Sequence, residues 1–344
     1  MDSYTFTDAL TGSTVSFEWP GLQALMVRGP ENAQELAACD ALFFPGCSFI
    51  NYAMPLVQSV DTLLQGAGVT SGVSLLCCGK ILSYEPDGEA VTARFEADLR
   101  NHAAAIGLKK IVAACPNCVK ALRRLLAEDE RTADIEVVPL PVVLADLGYR
   151  IDAGTAQGML HAELTEGPID YGIAADGVPQ ASDLTFSVHD SCPDRETGEF
   201  AQGIRALMPD GLVNEMEHNR TKSSCCGSLI RAMGKWEAAD KQANKRADEA
   251  EAASAQGIAV ACVSCAFQMS MAEHKMPVFH YLELLYNWRV NWMFMDAWMK
   301  LRFLFDENLG VSEVDESTRR AFVGLDVAPA EDAAQTASAD GGAE

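Results

Sequence analysis

Lys110-Ile111-Val112-Ala113-Ala114-Cys115-Pro116-Asn117-Cys118 carries an apolar run directly into a CxxC. The stretch Ile258-Ala259-Val260-Ala261-Cys262-Val263-Ser264-Cys265 does so again 147 residues later. Each run is short and apolar enough for a buried strand, and Val119 to Leu126 continues the first unit with helical spacing. A CxxC at a helix start places both sulfurs near unpaired amides and the positive end of the helix dipole, which favours thiolate. Alone, the first unit reads as a thioredoxin-like redox dithiol. The second copy displaces that reading.

Working outward, each CxxC closes a set of three cysteine motifs. Cys47, Cys77-Cys78-Gly79 and Cys115-Cys118 are matched by Cys192, Cys225-Cys226-Gly227 and Cys262-Cys265, at offsets of 145, 148 and 147 residues. A period this long means two whole domains in tandem rather than a solenoid. In the first copy Ala41 to Phe44 and Gly72 to Leu76 read as strands leading to cysteine, with helical patterns at Leu56 to Leu64 and Ala90 to Ile106. In the second, the strands are Leu184 to Val188, Leu212 to Glu215 and Ile258 to Ala261, and the long helix is Trp236 to Ala255. Such alternation predicts an α/β fold: two tandem duplicated parallel-sheet domains related by pseudo-two-fold symmetry, with N- and C-terminal extensions. All five cysteines of a set then emerge at the carboxyl edge of one sheet, where open α/β folds build their sites. The expected division is 1–40 N-terminal extension, 41–150 first domain, 151–183 glycine-rich interdomain connection, 184–286 second domain and 287–344 C-terminal extension. Residues 4 to 19 alternate around Thr11-Gly12-Ser13 and predict a hairpin.

Composition narrows the function. The 344 residues carry 26 basic and 49 acidic side chains, a net charge of −23, which argues against nucleic-acid binding. The first residues lack the basic start and apolar run of a signal peptide, so a reducing cytoplasm is expected. An odd total of 11 cysteines also argues against a disulfide scaffold. Tetrahedral zinc takes four ligands, and five thiols with two adjacent fit it poorly, so a zinc-stabilised module is the weakest of three readings. All-thiolate sites suit iron–sulfur clusters. A simple cubane needs one cysteine per iron, which leaves the fifth either spare or bridging.

Other residues have plainer readings. Cys39 lacks a counterpart and reads as a small buried apolar group. His189, three residues before Cys192, faces Phe44-Pro45-Gly46 in the first copy and reads as a residue behind the ligands or a structural one, not as a ligand. Gly79 and Gly227 suggest backbone packed close to a bulky inorganic group. Lys80, Lys120, Arg195 and Lys222 lie beside the cysteines and read first as solvated charges, second as attractors of an anionic substrate.

The order C, CCG, CxxC, present twice over residues 41 to 286, resembles the pair of cysteine-rich CCG domains in the heterodisulfide reductase family. Phe43-Phe44-Pro45-Gly46-Cys47-Ser48 and His189-Asp190-Ser191-Cys192 are similar to the segments opening the two copies in that family. The resemblance implies two [4Fe-4S] clusters of the non-cubane kind. Cys47, Cys77, Cys78, Cys115 and Cys118 would hold one, and Cys192, Cys225, Cys226, Cys262 and Cys265 the other. It implies an oxidoreductase subunit that reduces a disulfide or similar acceptor, fed by a separate ferredoxin-type iron–sulfur subunit and by a flavoprotein. Relatives with the same domain imply an alternative, a pure electron-transfer subunit relaying electrons from a flavin dehydrogenase toward quinone.

From Leu284 to Phe305 a helical pattern carries Trp288, Trp292, Met295, Met299 and Phe303 on one face and Phe294, Trp298, Leu301 and Phe305 on another. A helix apolar on two sides reads either as one sandwiched inside the fold or as one covered on one side by a partner subunit, or by a membrane complex at the inner face of the membrane. Charges interrupt any window long enough to span a bilayer. Residues 306–344 hold ten acidic and two basic residues and read as a disordered acidic tail.

Overall fold

The computed structural model describes residues 2–12, 14–19, 23–26, 36–80, 88–174, 177–290 and 292. Strands β1 (Asp2–Thr7) and β2 (Thr14–Trp19) form the antiparallel hairpin expected from residues 4 to 19, with Thr7 opposite Thr14, and β3 (Gln23–Met26) adds to β2. The turn after β1 reaches the first domain. Asp8 is fully buried there; its carboxylate accepts from the amides of Leu10, Thr11 and Leu75 and from the Ser74 hydroxyl, at 2.6 to 2.9 Å. The extension thereby fixes the backbone that leads into Cys77-Cys78.

The first domain runs β4 (Ala41–Phe44), α1 (Cys47–Tyr52), α2 (Met54–Gly66), β5 (Gly72–Val73), α3 (Gly88–Ala105), β6 (Lys110–Ala113), α4 (Pro116–Leu126), β7 (Glu136–Pro139) and α5 (Leu140–Asp146). Its sheet is parallel in the order β5-β4-β6-β7. The second domain runs β8 (Phe186–His189), α7 (Glu199–Leu207), α8 (Ser228–Ala232), α9 (Trp236–Ala252), β9 (Gly257–Val260), α10 (Val263–Ser270), β10 (Val278–His280) and α11 (Tyr281–Tyr286), after α6 (Ala153–Glu166). Its sheet is parallel in the order β10-β9-β8, and Val213 bridges to Phe186 where β5 stands in the first copy. The duplicated α/β architecture read from the cysteine spacing is therefore the observed one. Contacts across the seam are reciprocal, as a two-fold relation requires: α4 packs on the turn at Cys192, while α10 packs on α1.

The structure departs from the sequence reading in four places. Leu212 to Glu215, read as a strand, makes a single bridge, because the amide of Phe186 and the amide of Asn214 supply its two ladder bonds, at 2.9 and 2.8 Å. Gly72 to Leu76 is a strand only at Gly72–Val73, since the Leu75 amide turns to Asp8. The glycine-rich 151–183 region contains α6, capped by the Asp152 side chain on Thr155 N at 2.8 Å, with Ala156, Leu160 and Leu164 buried. Burial of that face offsets the helix cost of Gly154 and Gly158, roughly 1 kcal/mol each. The helix expected from Leu284 to Phe305 ends at Tyr286, where Asn287 adopts φ 49° and caps it. Apart from Trp288 to Val290 and Trp292, the faces expected there and the acidic tail lie outside the described residues. Among the described residues, no helix is long and apolar enough to cross a membrane.

Candidate metal centre

Strands β4, β6 and β9 each deliver a cysteine at the carboxyl edge. Cys47 opens α1 after β4, Cys115 is the N-cap of α4 after β6, and Cys262 is the N-cap of α10 after β9. Pro116 sits in the first turn of α4, where its missing N–H leaves no bond unmade. Cys77, Cys78 and Cys118 are buried, as are Cys226, Cys262 and Cys265. Cys47, Cys115 and Cys225 are half-buried and Cys192 is exposed.

The thiols form a continuous chain. Cys77 Sγ donates to Cys47 Sγ at 3.6 Å and also contacts Cys78, which is paired with Cys118, and Cys118 with Cys115. In the second copy Cys192 contacts Cys225, Cys225 contacts Cys226, Cys226 contacts Cys265, and Cys265 contacts Cys262. Cys115 and Cys262 join the two chains across the seam. Asn117, inside the first CxxC, adds an Nδ2–H bond to Cys262 Sγ at 3.8 Å.

This packing separates the thiols electrostatically. Donation from Cys118 and Cys77 holds Cys78 well below the usual thiol range, and donation from Cys115 and Cys265 does the same for Cys262. Cys192 and Cys226 bring Cys225 down to about 2. The thiols that donate are pushed up: Cys77 by Cys47 and Cys78, Cys118 by Cys115 and Cys78, Cys192 by Cys225, and Cys265 by Cys226 and Cys262. Cys226 rises because it donates to Cys225 more than it receives from Cys265. Cys115 rises although Cys118 donates to it, because it donates in turn to Cys262 and its sulfur is desolvated. A cation placed among them would remove the penalty of neighbouring thiolates, so this donor set suits a metal. Ten converging thiols, mostly buried, fit iron–sulfur chemistry in ligand type and supply.

The glycines serve a different purpose from the one their sequence position suggests. Gly79 and Gly227 have φ of 76° and 93°, and an added Cβ would meet the Phe95 ring at 2.6 Å and the Ala239 carbonyl oxygen at 2.5 Å. Helices α3 and α9, not sulfurs, crowd them. The glycine against the thiols is Gly46, φ 83°, whose Cβ would lie 2.9 Å from Cys118 Sγ.

His189 is fully buried, and a ring nitrogen lies within 4.8 Å of Cys226 Sγ and Cys265 Sγ, which are equally close to each other. Desolvation, with the Arg246 charge beside it, lowers its pKa to about 3, so the ring is neutral. Cys39 lies at the amino end of β4, bonded to Ala41 O at 3.3 Å and in contact with Ser71 Oγ at 3.4 Å, away from the thiol chain. Lys120 pairs with Glu196 across the seam at 2.9 Å, Lys222 is exposed, and Arg195 is half-buried, its Nε without a partner among the described residues. A cleft of about 530 Å³ at the seam is lined by Lys80, Pro116, Asn117, Lys120, Pro193 and Phe200 among others. Asn117 and Phe200 were not singled out by sequence; position inside a CxxC was the available signal for the first.

The family model of the cysteine-rich CCG domain matches residues 41–123 and 186–270. No curated protein matches the chain. Among solved structures, glutamate racemase isoform RacE1 from Bacillus anthracis is similar at 11% identity and a TM-score of 0.32, over 72% of this chain and 78% of that one. So loose a likeness supports no argument about function. The five-thiol sets fall within the two matched segments, each of which is similar to the cysteine-rich CCG domain.

Proposed function

We propose that the two thiol sets hold one [4Fe-4S] cluster each, of the non-cubane kind, and that the protein is the iron–sulfur subunit of a heterodisulfide-reductase-like complex. Cys47, Cys77, Cys78, Cys115 and Cys118 hold the first and Cys192, Cys225, Cys226, Cys262 and Cys265 the second. Such clusters supply one-electron chemistry. The observation that carries this reading is the contact of Cys115 with Cys262, which brings the two sets side by side. Two adjacent one-electron centres suit a two-electron acceptor: a disulfide takes two electrons and two protons and leaves two thiols.

The residues of the chain supply placement. The strand ends fix the sulfurs, burial of all but Cys192 and the half-buried three keeps water away, and the seam cleft beside Pro116, Asn117 and Pro193 gives a small acceptor a place to bind. Electrons then come from a ferredoxin-type subunit and a flavoprotein. Anaerobic protein purified with its neighbours, given a reduced donor and a small disulfide, should release two thiols per two electrons consumed. Reduction of quinone analogues with no thiol release would instead favour the electron-relay reading.

A further inference from the structure

His189 breaks the symmetry between the two thiol sets. It is the last residue of β8 and pairs with Val260; Phe44 is the last residue of β4 and pairs with Ala113. Each stands three residues before the first cysteine of its set, and both are fully buried. One copy therefore places an imidazole where the other places a phenyl ring.

The hydrogen bonding of that imidazole fixes its tautomer. Arg246 Nε–H donates to His189 Nδ1 at 3.2 Å. A guanidinium has no acceptor, so Nδ1 supplies the lone pair and the neutral ring carries its proton on Nε2. Arg246 is itself fully buried and held from behind by His218 O at 3.0 Å and Glu249 Oε2 at 2.5 Å. His189 Nε2 is buried with no hydrogen-bond partner among the described residues, while the ring lies among the thiols of Cys226 and Cys265. Nitrogen that bears the proton has no lone pair to give, so His189 is a donor toward sulfur rather than a metal ligand.

We propose that His189, oriented by Arg246, donates its Nε2–H to the sulfurs of Cys226 and Cys265 and makes the second centre the more easily reduced of the two. This rests on the reading that each thiol set holds a cluster. A hydrogen bond to a ligand sulfur stabilises the added electron, and outer partners of this kind tune a centre without touching it. Phe44 offers the first centre no such bond. Electrons entering at the first set thus run downhill to the second, and His189 is a positioning residue that sets this direction.

The test is an EPR-monitored potentiometric titration of anaerobically loaded full-length protein, with iron and sulfide measured first. Wild type should show two transitions at different potentials. In H189F one transition should move to lower potential while the other stays, the reduced-to-oxidised ratio falling on the order of tenfold at fixed potential, about 59 mV for one electron. H189Q, which places an amide N–H near the Nε2 position, should keep the separation. Full iron with unmoved potentials in H189F, or H189Q as low as H189F, would overturn the proposal. Should H189F fail to load, R246M decides: a downward shift of one transition supports the proposal and no shift overturns it. Histidine nitrogen NMR on the iron-free protein gives an independent check, since a His189 ring protonated on Nδ1 would contradict it. Wild type that takes up no iron brings down the reading beneath the proposal, whereas full iron with equal potentials brings down the proposal alone.

Discussion

Gly227 shows how single residues hold the thiol edge in shape. Its φ of 93° costs an alanine about 1 to 2 kcal/mol by itself, and the Ala239 backbone at 2.5 Å adds a clash that no side-chain movement relieves. Gly211 has a similar φ of 78° with open space around it. Gly227→Ala should therefore lower stability by about 3 kcal/mol or more and Gly211→Ala by about 1 kcal/mol, read as shifts in the urea midpoint. The cysteines divide in the same testable way. Cys39→Ser should leave iron content unchanged, because among the described residues its sulfur bonds Ala41 O and Ser71 rather than the other cysteines. Cys262→Ser should reduce iron in the loaded protein, since Cys262 receives bonds from both sets. The ligand candidates were legible because a metal site demands a residue type at a spacing. His189 was readable as a residue behind the ligands, but its tautomer was not, because that depends on Arg246, 57 residues away.

Among the elements, α11 shows how a short helix is fixed in place. Its N-cap, His280, accepts from Leu282 N at Nδ1 and donates Nε2–H to Ala261 O at 3.0 Å, which anchors the backbone next to Cys262. Glu283 completes the capping box and also accepts from Val290 N at 2.6 Å, Trp292 Nε1 at 2.9 Å and Arg289 Nη1 at 3.1 Å. Glu283→Ala takes this acceptor from the Val290 amide and the Trp292 indole N–H and one carboxylate from Arg289, which keeps Val278 O and Glu163, and a loss of about 3 to 5 kcal/mol is expected by chemical denaturation. His280 also gives a pH dependence. Desolvation lowers its pKa from 6.5 to about 4, so the unfolded chain takes up a proton that the folded one refuses. Stability is complete above pH 6.5 and falls as the pH drops toward 4, by about 3 kcal/mol for this group. Urea midpoints at pH 7 and pH 5 should converge in H280A relative to wild type; equal pH dependence in both would contradict the assignment. Strand and helix periods made most elements readable. The end of α11 was not, because apolar spacing continues past Asn287 while a left-handed residue, whose only sign is an asparagine, stops the helix.

For the molecule as a whole, duplication matters because the two copies complete one another at the seam. Arg123 of α4 bridges to Glu199 of α7 at 2.5 and 2.9 Å and to Val137 O, and Gly203 of α7 lies so close to α5 that a Cβ would be 2.8 Å from Val142 N. Gly203→Ala should push the copies apart and cost about 1 to 3 kcal/mol, an overpacking penalty visible as a lower urea midpoint. The paired domains were readable from the offsets of the cysteines, but their mutual placement was not, since Asn117 and Cys115 meet Cys262 only through tertiary packing. That placement supports the central claim, that ten cysteines form two adjoining iron–sulfur sites. Iron and acid-labile sulfide counted per chain in anaerobically prepared protein test it most directly. About eight of each are expected, and about four when Cys225 and Cys226 are both replaced by Ser. Zinc in place of iron, with no sulfide, would contradict it.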